Sequence, residues 1–196
     1  MKKWTAMIVT LVLLAVIGLA SATVPSISTG DTTQGGGSTA STGVAIEEGF
    51  VLEPTDTPET IQNEIQQMFD FVNGTDPQQP AAQYFSDEVQ QMIAEKLPET
   101  VAADNLVVNE IVPLVMANYD SAYGDVTTEF TFATEYVEGE TVVVLLGLID
   151  VDGNIECVAV DAVAVEGGGL AVTFPQDVLL QMEQATDIMM VVLSES

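Results

Sequence analysis

A chain of 196 residues that sets 30 acidic side chains against three lysines, with no arginine and no histidine, carries a net charge of −27. That balance excludes nucleic acid as a partner, because Lys and Arg supply the affinity for phosphates, and it disfavours an anionic membrane surface for the same reason. Without imidazole, neither a Ser-His-Asp nor a Cys-His nucleophile system nor the usual zinc ligand sets can be assembled from this chain.

The chain opens with Lys2 and Lys3, an apolar run over residues 6–19, and the small residues Ala20, Ser21 and Ala22. This order predicts a secretory signal peptide over residues 1–22, cleaved after Ala22, with retention as an uncleaved anchor as the alternative. The protein is therefore expected to be secreted or held at the cell surface, outside the cytoplasm. Beyond the signal, Lys96 is the only cation left. Residues 23–45 are rich in Thr, Ser and Gly around Gln34-Gly35-Gly36-Gly37-Ser38 and predict a flexible linker. One folded unit is expected over residues 46–196, a helical portion at 46–104 followed by a β portion at 105–196.

Over residues 56–72, Ile61, Ile65, Met68, Phe69 and Val72 fall on one helical face. Asp56 and Glu59 make the pattern of a capping box, with Pro58 in the first turn and Gly74 as the stop. A second amphipathic helix is expected over residues 86–97, with Ser86 as N-cap, Asp87 and Glu88 in the first turn, and Pro98 ending it. Lys96 in its last turn complements the helix dipole, which favours a structural role over a catalytic one.

From residue 106 the pattern turns to β-branched residues. A strand at 106–116 contains Pro113, which predicts an edge or a bulge. Residues 126–136 alternate as for a sheet with one wet face, Glu138-Gly139 makes a turn, and the apolar run within residues 141–151 predicts a strand buried on both faces. Asp152-Gly153 predicts a two-residue type I′ hairpin loop. A returning strand at 155–165, a turn at Glu166-Gly167-Gly168-Gly169, a short strand at 170–174, two turns of helix at 177–184 and a last strand at 188–193 follow. The fold class expected is α+β: an antiparallel β-sandwich preceded by two amphipathic helices packed against it.

Over residues 125–195, the Asp150-Val151-Asp152-Gly153-Asn154 turn, the Glu-Gly turn and Val172-Thr173-Phe174-Pro175 ahead of a helical turn and closing strand resemble the immunoglobulin-like modules of uncharacterised secreted proteins from Gram-positive bacteria. The resemblance implies an immunoglobulin-like sandwich serving as a spacer or binding module rather than as an enzyme.

Chemistry-bearing motifs are few. Asp150, Asp152, Asn154 and Glu156 alternate oxygen donors as a calcium loop does, but Gly153 stands fourth where an EF-hand places its glycine sixth, so a hairpin is the better account. Cys157, the single cysteine, lies in an apolar alternating stretch without a cation to activate it, as a packed small hydrophobe does. Asn73-Gly74-Thr75 matches a glycosylation sequon but is better read as a helix end. No phosphate-binding Gly-Lys-Ser/Thr loop is present, and paired carboxylates cannot be singled out among 30 acids. The sequence thus nominates no catalytic, cofactor-binding or metal residue and no cofactor. It predicts a non-catalytic module for an unknown protein or cell-envelope component, with adventitious divalent cations on its acidic surface. A calcium-binding module and a carboxylate-dependent hydrolase are the alternatives. Tyr119 and Tyr123 are left open as contact residues.

Overall fold

A computed structural model of the chain describes residues 32–73, 80–132 and 134–195. The expected signal peptide, the linker up to Asp31, the helix stop at Gly74 and the body of the sequon lie outside them. Among these residues, eight strands and three α-helices follow one another in the order β1 (Thr33–Ala40), β2 (Val51–Pro54), α1 (Gln62–Asn73), α2 (Asp87–Lys96), β3 (Leu106–Ala117), β4 (Val126–Thr131), β5 (Val142–Ile149), β6 (Ile155–Ala164), β7 (Leu170–Phe174), α3 (Gln176–Met182) and β8 (Asp187–Glu195).

The fold is α+β, with a single antiparallel sheet ordered β1-β4-β7-β6-β5-β8-β3-β2. The edge strands β1 and β2 touch, so the sheet curls into a nearly closed barrel. β6 joins the two halves of the sheet: it pairs with β5 through Val160 and with β7 from Asp161 onward, so the corner is turned within one strand. The helices do not open the fold: β1 and β2 precede them and enter the same sheet.

β1 is the largest departure from the sequence reading, which placed these residues in a flexible linker. Glycines at 35–37 lack any side chain that votes for a strand, yet the segment pairs with β4, and the Ser38 hydroxyl meets that of Thr128, a fully buried polar residue, at 2.8 Å. Tertiary hydrogen bonding overrides the local signal here.

Inside the barrel, inward positions of β3 to β8 stack as layers of Val, Leu, Met and Phe, with Val144, Leu146, Val172, Phe130 and Met190 fully buried. Eight strands enclose an interior that side chains just fill. α3 closes one end by inserting Val178, Leu179 and Met182. β5 is buried at every position, as its unbroken apolar run predicts, because its other face lies under α1 and α2. Ile61, Ile65 and Met68 of the α1 stripe and Val89 and Ile93 of α2 pack there against the outer face of β3, β5 and β8.

α1 begins later than the sequence suggests. Residues 55–58 belong to no helix or strand and a turn closes from Ile61 N–H to the Pro58 carbonyl, so Asp56 and Glu59 stand ahead of the helix rather than capping it. α2 meets the expectation: the Ser86 hydroxyl accepts from the Val89 amide at 3.5 Å, and the helix stops at Leu97 before Pro98. Lys96 reaches Asp161 on β6 at 2.6 Å, with side chains 32% and 72% exposed, an ion pair worth less than about 1 kcal/mol.

Pro113 meets the expectation of an edge locally: its carbonyl, and with it the missing N–H, faces β2 just where that strand ends at Pro54, beside Thr55. One turn prediction is corrected. The β5–β6 loop is not type I′, since Gly153 has φ 79° while Asp152 does not have positive φ. Asp150 and Asn154 pair across it and the Gly153 amide bonds back to the Asp150 carbonyl, giving a three-residue loop with glycine in the left-handed position.

Candidate functional site

The two ends of the barrel differ in how their polar groups are satisfied. At the α3 end, Tyr119 and Tyr123 are buried in an aromatic cluster with Phe50, ring centroids 6.0–6.4 Å apart. The Tyr119 hydroxyl donates to the Gly124 carbonyl at 2.6 Å, and the Tyr123 hydroxyl accepts from the Glu47 amide at 3.1 Å. Burial pushes the Tyr119 phenol above its ordinary value, reinforced by the charge of Asp125. Both rings are core side chains, which closes the question of a contact surface.

At the opposite mouth, β3 carries a bulge between Val108 and Glu110. Beyond it Glu110 stands opposite Val192, which in turn stands opposite Val144, and both valines line the interior. Residues directly opposed across an antiparallel pair share a face, so the half-buried Glu110 points inward. A bulge that re-aims one side chain commonly does so beside a functional site. One layer nearer the rim, Val107 and Val142 both oppose Ser194, which is 1% exposed and accepts a hydrogen bond from the Asn109 amide.

The β4–β5 connection crosses this mouth. Its Thr134 hydroxyl donates to Glu110 Oε1 at 2.7 Å, and its Tyr136 amide is tied to the Gly168 carbonyl of the β6–β7 turn at 3.0 Å. The Tyr136 ring packs edge-on to Phe132, centroids 5.5 Å apart. Its hydroxyl is buried and has no hydrogen-bond partner among the described residues, with the residue only 2% exposed. Desolvation chiefly, then the charges of Glu110 and Glu140, drive the Tyr136 phenol far above its ordinary value, so it is a neutral hydroxyl at any physiological pH. Glu140 Oε2 accepts from the Val137 amide at 2.9 Å. The mouth thus gathers two carboxylates and an unpaired phenol against apolar walls.

The Asp150 loop, the other oxygen-rich feature, is spent on itself. Asp150 Oδ1 accepts from the Asp152 and Asn154 amides at 2.8 and 2.9 Å, and Oδ2 from the Asn154 side chain at 2.7 Å. The Asn154 side-chain bond, then backbone bonds, hold the Asp150 carboxyl below its ordinary value. Among the described residues no three Asp, Glu or Cys side chains lie together as a metal site would need, and no helix is long and apolar enough to cross a membrane. Cys157 is half-buried under the helices, and burial followed by the Glu156 charge raises its thiol.

Glu110 was legible in the sequence only as an interruption: Asn109-Glu110 breaks an otherwise apolar strand of twelve residues. Fold and site together define the class, a small antiparallel barrel with an outer helix layer and one polar mouth. No protein-family model, curated protein or solved structure matches the chain.

Proposed function

We propose that the protein is an exported, non-catalytic binding module, acting at the cell surface or in the surrounding medium, whose partner docks at the Glu110 mouth of the barrel. The convergence of Glu110 and an unpaired Tyr136 hydroxyl at one end of an otherwise apolar interior carries this reading, since binding sites in small barrels form at their mouths. The basic start and apolar run of residues 1–22 support export. The immunoglobulin-like resemblance of residues 125–195 supports binding over catalysis, although a continuous sheet through β6 favours a barrel over a sandwich.

The calcium-module alternative is weakened by the Asp150 loop, whose carboxylate oxygens are already engaged by loop donors. For a carboxylate-dependent hydrolase, Glu110 and Glu140 would be the two acids. The purified chain, screened against generic ester, glycoside and peptide substrates, is expected to turn over none of them. Reproducible turnover abolished by Glu110→Gln would overturn the binding-module reading in favour of the hydrolase.

A further inference from the structure

We propose that the barrel mouth binds a primary ammonium group, paired with the Glu110 carboxylate, hydrogen-bonded to the Tyr136 hydroxyl and seated with its alkyl stem against Val107, Phe132 and Val142. The assignment rests on the reading of the mouth as a binding site and names what enters it. Glu110 is half-buried and its bond from Thr134 lies at the exposed lip of the mouth, so its carboxylate is open to an incoming donor. Glu110 receives one donor, Thr134 on Oε1, which leaves Oε2 unengaged among the described residues. Tyr136 adds a buried oxygen with nothing bonded to it, under the influence of both Glu110 and Glu140. Glu110 Oε2 and the Tyr136 hydroxyl thus offer two acceptors to the three N–H donors of an ammonium.

A divalent metal fits less well. Calcium takes six to eight oxygens and magnesium keeps a shell of water, whereas the mouth is walled by valine and phenylalanine side chains that are 5–9% exposed. Those walls suit methylene groups, which bury favourably while Glu110 and Tyr136 answer the charged head. An anion is excluded by the two carboxylates and by the net charge of −27.

A primary ammonium can come from a lysine side chain of a partner protein or from a free alkylamine, and the test separates them. The isotopically labelled full chain is titrated with butylammonium, with 1-butanol, with butyltrimethylammonium and with an acetylated, amidated Gly-Lys-Gly peptide, following amide and side-chain NMR shifts. Saturable shifts centred on Glu110, Thr134, Tyr136 and Val142 are expected with butylammonium and not with the alcohol. The quaternary ion, which cannot donate hydrogen bonds, is expected to bind at least about fivefold more weakly. Tighter binding by the peptide than by butylammonium assigns a lysine side chain as the ligand, and the reverse order assigns a free amine.

Glu110→Gln, which keeps an acceptor for Thr134, is expected to weaken butylammonium binding about tenfold or more, and Tyr136→Phe to weaken it less, with unchanged circular dichroism in both. Equal shifts with alcohol and amine, equal affinity for the quaternary ion, or shifts spread over the acidic outer surface and indifferent to Glu110→Gln would overturn the ammonium assignment while leaving the binding-module reading standing. Chemical conversion of the amine would overturn the binding-module reading itself.

Discussion

Cys157 stands opposite Gly147 in the β5–β6 ladder, and its thiol is held above the ordinary value of 9.0 first by burial and then by the charge of Glu156. Only the thiolate is nucleophilic, so the expected outcome is slow alkylation by iodoacetamide at neutral pH, faster after unfolding in guanidinium, with the folded rate still rising and not levelling off as pH passes 9.0. Fast folded-state labelling at neutral pH would contradict the packed-thiol account. Asp150 shows the opposite sign. Its carboxyl is lowered from 3.8, first by the Asn154 side chain, so its contribution to loop stability is present above that value and is lost as pH falls through the folded midpoint. Asn154→Ala is expected to move the Asp150 midpoint up towards 3.8 in a carbon-detected NMR titration; an unmoved midpoint would show that the backbone amides alone hold the charge. Each of the two is explained by its neighbours alone, Cys157 by an apolar alternating strand and Asp150 by the donors of its own loop. Glu110 needed more: its inward aim depends on the Asn109 bulge and on pairing with Val192, both set by distant chain.

Elements whose ends are marked by local chemistry were the legible ones. Ser86 caps α2 and Pro98 stops it, and replacing Ser86 with alanine is expected to cost about 0.5–1 kcal/mol by thermal or denaturant unfolding, the low end because the bond is long at 3.5 Å. The β6–β7 turn offers a sharper test. A Cβ on Gly169 would lie 2.6 Å from the Phe130 carbonyl oxygen, which is backbone and cannot swing away. Gly169→Ala is therefore expected to destabilise by about 1–3 kcal/mol, and a neutral result would mean that the turn is free to shift. The start of α1 lies later than the sequence suggests because Asp56 and Glu59 fit the capping pattern while the helix begins only after the turn at Pro58. β1 was missed for a related reason: three glycines carry no periodicity, and its strand character comes from β4, nearly ninety positions along the chain.

At the scale of the molecule, alternation along β4 and the apolar run of β5 reveal how many faces of a strand are buried, but not which strand lies beside which. Two sheets and one curled sheet share the same alternation, and β6 joins the halves by pairing with β5 through Val160 and with β7 from Asp161 onward. Charge, by contrast, is fully legible in the sequence and sets a property of the whole. Thirty carboxylates, offset by only three lysines, repel one another across a small body, which costs the folded state more than the expanded one. The one ion pair described, Lys96 with Asp161, is exposed and worth less than about 1 kcal/mol, so salt has little attraction to weaken and much repulsion to screen. Raising NaCl from about 0.01 M to about 1 M shortens the screening length from roughly 30 Å to roughly 3 Å. The melting temperature is therefore expected to rise over that range, and to rise further for Lys96→Met, which removes the attraction and leaves the repulsion. A melting temperature that falls with salt would mean that favourable pairing, and not self-repulsion, dominates the electrostatics of this barrel.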